Sequence, residues 1–254
     1  MLYCLPFPAQ KSGAKRLVST ESREPESVRR MFDGIARRYD LLNHILSLRL
    51  DFGWRRRAVD ELPPDPAARV LDLCGGTGDL SVEIAARGRA GLVVCCDFSH
   101  PMLVCAMPKL RREGVVSRCL AVEADGLRLP FASASFDAVT VAFGVRNFHR
   151  LESGLREILR VLRSGGRLVV LEFSQPRAPV LSSLYRFYLL RILPIVGDRI
   201  SGARGPYAYL ARTVSDFCDA PALAGKIRES GFAAVGWRTL TGGIVAIHTA
   251  LKAP

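Results

Sequence analysis

Val70-Leu71-Asp72-Leu73-Cys74-Gly75-Gly76-Thr77-Gly78-Asp79-Leu80-Ser81 is the stretch whose reading decides the fold. A short apolar run breaks into glycines and then into Leu80, Ile84 and Ala85 at helical spacing. That order predicts a strand, a tight turn and the start of a helix. In an open α/β sheet, ligands sit in the crevice beyond the carboxyl ends of the strands. Glycines there let the backbone approach a ligand without a Cβ in the way. The dinucleotide pattern G-x-G-x-x-G is not met, because Asp79-Leu80-Ser81 follows Gly76-Thr77-Gly78 and the third glycine is missing. An acidic side chain also stands where a pyrophosphate would lie. The alternative to a ligand site is a tight strand–helix turn that binds nothing.

Outward from this turn, the next apolar run is Leu92-Val93-Val94-Cys95-Cys96-Asp97. Asp97 lies 97 − 78 = 19 residues past Gly78, the place from which a second-strand acid accepts ribose hydroxyls. Its other reading is the N-cap of the helix opened by Ser99, His100 and Pro101. A third strand is predicted over Ala121–Asp125, ending in Asp125-Gly126, where an acid could reach an adenine amine. The fourth is Phe136–Phe143, running into Gly144-Val145-Arg146-Asn147-Phe148. An amphipathic helix over Leu151–Leu162 ends at Gly165-Gly166 before a fifth strand, Arg167–Phe173. After a helix over Ala220–Ser230, strands near Ala234–Leu240 and Ile244–Leu251 flank Gly242-Gly243 as a hairpin. The sum is a Rossmann-like α/β fold with a mostly parallel seven-stranded sheet and an antiparallel final hairpin.

Two regions fall outside the alternation. Residues 1–26 read as a disordered basic tail without the apolar core of a secretory signal, leaving 27–254 as one domain. Residues 27–65 read as a helical cap: Val28, Met31, Phe32, Ile35 and Tyr39 recur at helical spacing, a second piece runs from Asn43, the chain turns near Leu50–Gly53, and Trp54 starts another helix. Residues 175–211 form a helical insertion, either a buried helix pair or a membrane-touching lid, with Leu189, Leu190 and Leu193 placed on its lipid face. No stretch reads as apolar and uncharged for long enough to span a bilayer.

Lys and Arg number 36 against 24 Asp and Glu, a formal net charge of +12 with a pI near 9.9. That points to an anionic partner, lipid or nucleic acid, or to a basic but ordinary enzyme. The seven cysteines contain no C-x-x-C and read as small buried residues in a reducing compartment, not as zinc ligands or disulfides. Neither an Asn/Asp-Pro-Pro-aromatic string nor a Pro-Cys pair occurs, which counts against a nucleic-acid base methylase.

S-adenosylmethionine carries no phosphate and bears an ammonium group, so it suits a glycine turn beside Asp72 better than NAD or FAD does. The turn resembles the first motif of Rossmann-like methyltransferases. Three further stretches narrow this: Met31–Asn43 continuing to Leu46-Ser47 and Trp54; Phe143-Gly144-Val145-Arg146-Asn147; and Arg160–Ser174, with Leu240–His248 at the end. Together they resemble the ubiquinone/menaquinone biosynthesis C-methyltransferases over roughly residues 28–252. The sequence departs from that family's pattern at Asp51 (a histidine in the family), Ala142 (a serine in some members) and Ser164 (often proline). The resemblance implies a class I S-adenosylmethionine-dependent fold. It implies cofactor contacts at Thr77, Asp97, Asp125 and Gly126, with Asp72 and Gly75 shaping the pocket and no metal. It also implies methyl transfer to a ring carbon of a polyprenylated quinol, the menaquinone branch being favoured over the ubiquinone one. Arg146 and Asn147 are the candidates for orienting the quinol oxygen, Arg146 electrostatically since arginine is a poor base; their alternative is a charged loop cap. A non-catalytic scaffold subunit is the rival from another class. The expected setting is cytoplasmic, peripheral to the inner face of an anionic membrane, with no nucleic-acid partner and a homodimer left open.

Overall fold

In the computed structural model, residues 25–201 and 205–254 are described; the basic tail, Cys4 and Arg204 lie outside them. The strands are β1 (Arg69–Leu73), β2 (Leu92–Asp97), β3 (Cys119–Glu123), β4 (Phe136–Ala142), β5 (Leu162–Phe173), β6 (Phe232–Leu240) and β7 (Val245–Lys252). They form one sheet in the order β3-β2-β1-β4-β5-β7-β6. The first five are mutually parallel, and β7 inserts antiparallel between β5 and β6. Strands covered on both faces need apolar side chains on both, which is why β2 reads as an unbroken run up to Asp97 and β1 is interrupted only by the buried Asp72. Val70, Leu71, Leu73, Val93, Val94, Cys95 and Cys96 are all buried. The described cysteines are free thiols, and Cys95, Cys96 and Cys119 are buried. Strand order reverses between β1 and β4, and a crevice opens there above their carboxyl ends.

The helices are α1 (Pro25–Leu46), α2 (Leu50–Val59), α3 (Asp79–Ala86), α4 (His100–Arg112), α5 (Leu151–Val161), α6 (Pro179–Phe187), α7 (Leu193–Ser201), α8 (Pro206–Asp216) and α9 (Ala220–Glu229). Several boundaries differ from the sequence reading. α1 runs unbroken to Leu46, and the turn comes at Ser47–Arg49, where Leu48 and Arg49 take φ of 51° and 62°. Gly53 and Trp54 therefore lie inside α2. Trp54 donates from Nε1 to Thr241 Oγ1 at 2.8 Å, tying α2 to the β6–β7 turn. β3 stops at Glu123, which pairs with Asp97, so Asp125 sits on the loop beyond the strand. β5 starts at Leu162 and carries Gly165-Gly166 within it, with an irregular register between Phe136 and Ala138.

The insertion is more than a helix pair. α6 passes through a π turn, Tyr188–Ile192, into α7, and α8 packs against the π turn and α7. One face, Tyr185, Leu189 and Leu193, is buried with Leu42, Tyr207, Ala211 and Val214. The other exposes Val180, Leu184, Phe187, Leu190 and Ile195. Leu189 and Leu193 are thus core residues, a correction to their placement on a lipid face; only Leu190 of the three is exposed, at 48%. Continuity through the π turn also corrects the expectation about span length. Pro179–Ile200 is long and apolar enough to cross a membrane by length and composition.

Candidate active site

The glycine turn is shaped by β2 beneath it. Gly75 donates its N–H to Cys96 O at 3.0 Å, and a Cβ on Gly75 would lie 2.6 Å from Cys95 Sγ. Alanine there would push the turn off the sheet. Gly76 takes φ +54° with open space where a side chain would be, so bare backbone faces the crevice. Gly76 donates to Asp97 Oδ2 at 2.9 Å, and Ser99 N donates to Asp97 Oδ1 at 2.9 Å. The cap of α4 is Ser99, whose Oγ accepts from Met102 N at 3.4 Å, so Asp97 is not the N-cap. Asp97 splints the turn to the start of α4. Burial pushes its carboxyl up to about 6, partly offset by these backbone donors.

The crevice, about 90 Å³, is walled by Gly76, Asp97, Asp125, Gly126, Asn147 and His149 among others, with Phe98 and Phe148 as flat apolar surfaces. Exposed Asp125 accepts from Leu127 N at 2.9 Å, and Gly126 faces the Phe148 ring, which a Cβ would meet at 3.1 Å. Among the described residues the wall carries carboxylates but no Lys or Arg. Such a wall suits a cationic adenosyl sulfonium and repels a pyrophosphate. Three of the sequence candidates stand outside it. Asp72 is fully buried and accepts from Ser81 Oγ at 2.6 Å and Thr140 Oγ1 at 3.0 Å; burial pushes its carboxyl up to about 6. Gly75 lies under the turn, and buried Thr77 donates its hydroxyl to Asp40 on α1.

A second cavity, about 330 Å³, opens between α1–α2 and α6–α8. Its wall is largely leucine and aromatic, with Arg55, Arg146, Tyr185, Tyr207 and Tyr209 among its polar members. Phe32, Tyr39 and Phe143 line both cavities and form the partition. The turn Val145–Asn147 straddles it: Arg146 faces the large cavity and Asn147 the crevice. Arg146 is 4% exposed. It donates from Nη1 to Glu172 Oε1 at 2.9 Å and to Phe143 O, and lies 5.3 Å from the Phe173 ring centroid. Burial works against its charge, but Glu172 more than restores it and the guanidinium pKa is raised. Tyr209 donates to Asn147 Oδ1 at 3.2 Å. Arg146 Nε, Tyr185 Oη and Tyr207 Oη are buried with no hydrogen-bond partner among the described residues; such a group costs about 1–3 kcal/mol.

Sequence reading missed Tyr39, Glu172 and the insertion's tyrosines as site residues. Tyr39 and Glu172 lay inside quoted family stretches; Tyr39 keeps the helical period and gives no sign of a site, whereas Glu172 ends an apolar run as Asp97 does and carried a signal that went unused. An ion network joins α1, α2 and the turn. His44 Nδ1 lies 2.7 Å from Asp51 Oδ2, Arg55 pairs with Asp51 and Asp79, and Lys109 pairs with Asp79 and with Asp40 at 2.7 Å. Asp51 thereby gains a full set of partners: burial raises its pKa, yet Arg55 and hydrogen bonds from Ser47 and His44 hold it below the ordinary value. The donor atoms of His44, Asp51 and Asp79 lie within 4.8 Å of one another, with both carboxylates already neutralised by Arg55 and Lys109.

Sheet order, bare-backbone turn and acid-walled crevice define a class I, Rossmann-like methyltransferase fold. Residues 18–252 match the ubiE/COQ5 methyltransferase family, and the chain belongs to that family. It is 44% identical over 234 residues to a demethylmenaquinone methyltransferase of Corynebacterium kroppenstedtii, covering 92% of this chain and 98% of that one. Among solved structures it resembles the cyclase SpnF (TM-score 0.67, 18% identity, 91% and 96% of the two chains). It also resembles an S-adenosylmethionine-dependent methyltransferase of Thermotoga maritima (TM-score 0.61, 17% identity, 88% and 99%).

Proposed function

We propose that this protein methylates a ring carbon of demethylmenaquinol, giving menaquinol. The observation that carries this reading is the pair of adjoining cavities. One is acid-walled and small, the other apolar with a buried cation, and three aromatic side chains divide them. Bound S-adenosylmethionine supplies an electrophilic methyl group on a sulfonium that leaves without protonation. The crevice would hold it through Asp97, Asp125 and backbone at Gly76 and Gly126. Phe32, Tyr39 and Phe143 exclude water between donor and acceptor. Arg146, fixed by Glu172, stabilises the negative charge that develops on a quinol oxygen as the ring becomes nucleophilic, and Asn147 and Tyr39 stand beside it. In this reading no metal takes part: the leaving group needs no Lewis acid, and the His44–Asp51–Asp79 carboxylates already have cationic partners. Methylation of a short-chain demethylnaphthoquinol should require a reductant, because the oxidised ring is electron-poor and has no hydroxyl proton to release. It should continue in the presence of a chelator. Equal rates with the quinone would defeat the reading.

We further infer that the protein binds an anionic membrane at its cytoplasmic face. Leu48 (81% exposed), Leu50 and Leu184 line the large cavity while facing solvent, and Leu41, Ile45, Phe52, Phe187 and Ile195 are exposed on the helices that flank it. A polyprenyl tail would enter there from the bilayer edge. Arg186 and Arg191 lie on the same helical run, and each basic residue near an anionic surface contributes about 1 kcal/mol.

A further inference from the structure

The two unpartnered tyrosines of the insertion have a use that packing does not explain. Tyr185 on α6 is 7% exposed and Tyr207 on α8 is 2% exposed, and both belong to the apolar cluster with Leu42, Leu189, Leu193, Ala211 and Val214. If these positions served packing alone, phenylalanine would fill them and leave no donor unmet. The neighbouring tyrosines show the contrast. Tyr188 donates to Leu46 O at 2.7 Å, and Tyr209 donates to Asn147 Oδ1 at 3.2 Å. Of the four buried side-chain atoms without a partner among the described residues, three belong to Arg146, Tyr185 and Tyr207, and all three residues line the large cavity. Tyr207 is also held in place: a Cβ on Gly197 of α7 would lie 2.2 Å from its Cγ, so the ring is pressed against helix backbone. A donor fixed this firmly in an apolar wall is preorganised for an acceptor on a ligand.

We propose that the Tyr185 and Tyr207 hydroxyls donate hydrogen bonds to ring oxygens of the quinol, and so set the register of the ring in the cavity. This rests on the quinol reading above. A 1,4-diol carries two oxygens on opposite sides of its ring, and Arg146 alone cannot reach both sides. The phenols supply the remaining donors. A ring lacking one oxygen leaves them unpaired, and a site of buried polar groups rejects such an analogue strongly. The insertion is then part of the recognition of the ring as well as the covering of its tail.

The test is calorimetric binding of 2-methylnaphthalene-1,4-diol, kept reduced, to full-length protein saturated with S-adenosylhomocysteine, together with kcat/KM for a short-chain demethylnaphthoquinol. Tyr185→Phe and Tyr207→Phe should each weaken diol binding and lower kcat/KM by about five- to twenty-fold. S-adenosylhomocysteine affinity should stay unchanged, and the ligand-free melting temperature should hold or rise. A merely structural role would instead lower the melting temperature. Wild-type diol affinity and kcat/KM in both variants would overturn the inference and leave the quinol reading standing. A wild-type protein that neither binds the diol nor methylates the quinol would overturn both. Should a variant fail to fold, 1-naphthol against the wild-type protein asks the same question from the ligand side. It should bind at least fivefold more weakly than naphthalene-1,4-diol, and equal binding would overturn the assignment of these donors.

Discussion

The crevice and the large cavity share a wall, yet the chain makes them in opposite ways. The crevice is built at strand ends and shaped by backbone: Asp97 is gripped by the N–H groups of Gly76 and Ser99, and glycine keeps the floor clear. The cavity is built from side chains on helices that flank the sheet, and its polar groups converge from α1, α2, the β4 turn, α6 and α8. The first kind of site is inherited with the fold. The second is made by what is added to it. SpnF, a cyclase with the same architecture at 18% identity, fits that division, since a shared sheet does not fix the chemistry of the acceptor.

The two sites meet mechanically at Arg146 and Glu172, and the largest expected effect lies there. Glu172→Ala leaves a buried guanidinium without its carboxylate, which costs about 3–5 kcal/mol. For a chain of this size each kcal/mol moves the melting temperature by about 2–4 °C, so calorimetry should show a fall of roughly 6–20 °C. A shift under 2 °C would mean that the pair does not hold the partition. Next in size is a crossed pair of variants. Asp97→Ala should weaken S-adenosylhomocysteine binding by about 1.5–3 kcal/mol for each charged hydrogen bond lost, read by titration. Arg146→Ala should lower turnover far more than cofactor affinity, because its role arises as charge develops in the transition state. If both variants lose affinity equally, the cavities are one site and the comparison fails. If Arg146→Ala loses stability alone, Arg146 is a loop cap.

How much of this was legible in the sequence follows the same division. Asp97 could be picked out because it ends an apolar run, and Arg146 and Asn147 because they follow the fourth strand; Gly126 came only with the family resemblance. The parallel strands and the antiparallel closing hairpin followed from alternation and from the final Gly242-Gly243 turn, whereas the strand order has no local signature. The tyrosines were invisible as site residues because Tyr185 and Tyr207 keep the apolar period, and one oxygen atom carries the difference. Contacts such as Thr77 with Asp40, 37 residues apart, and Tyr209 with Asn147, 62 apart, have no local signature. The α1–α2 turn was misplaced because Gly53 reads as a breaker, whereas Leu48 and Arg49 absorb the turn in left-handed backbone.

Smaller effects should appear on varying pH. Burial pushes the Asp72 carboxyl up from the ordinary carboxylate range to about 6. The folded protein therefore holds the Asp72 proton more tightly than the unfolded chain does. Its contribution to stability is present at pH below about 4 and is lost as pH rises through about 6. Asp72→Asn removes that loss, so its stability relative to wild type should grow from pH 4 to pH 7 by roughly 2–3 kcal/mol at most, measured by denaturant titration at each pH. A difference flat with pH would mean that Asp72 is ionised without cost. Asp97, also raised to about 6, accepts ribose hydroxyls more strongly as a carboxylate than as an acid, so wild-type affinity for S-adenosylhomocysteine should fall as pH drops below about 6.

The smallest effect on folding is expected from Leu190, and it isolates the outer surface of the cavity. Leu189 and Leu190 are adjacent in the π turn, yet one is 3% exposed and the other 48%. Leu189→Ser should destabilise as any core truncation does, and loss of activity there would say nothing about membranes. Leu190→Ser changes a half-exposed side chain that belongs to none of the apolar core clusters, so its folding free energy should stay within about 0.5 kcal/mol of wild type. If the exposed face of α6 and the π turn lies at the headgroup boundary, that same leucine inserts into lipid and its loss removes apolar area from the membrane contact. Flotation with anionic liposomes should then fall several-fold at unchanged stability and weaken further with salt, since arginines on the same run add an electrostatic share. Turnover should fall for a long-chain quinol and persist for a short-chain soluble one, because the ring site on the far side of the mouth is untouched. Equal flotation of Leu190→Ser and wild type, with long-chain turnover intact, would remove the membrane from this face and leave the apolar rim of the cavity to serve the prenyl tail alone.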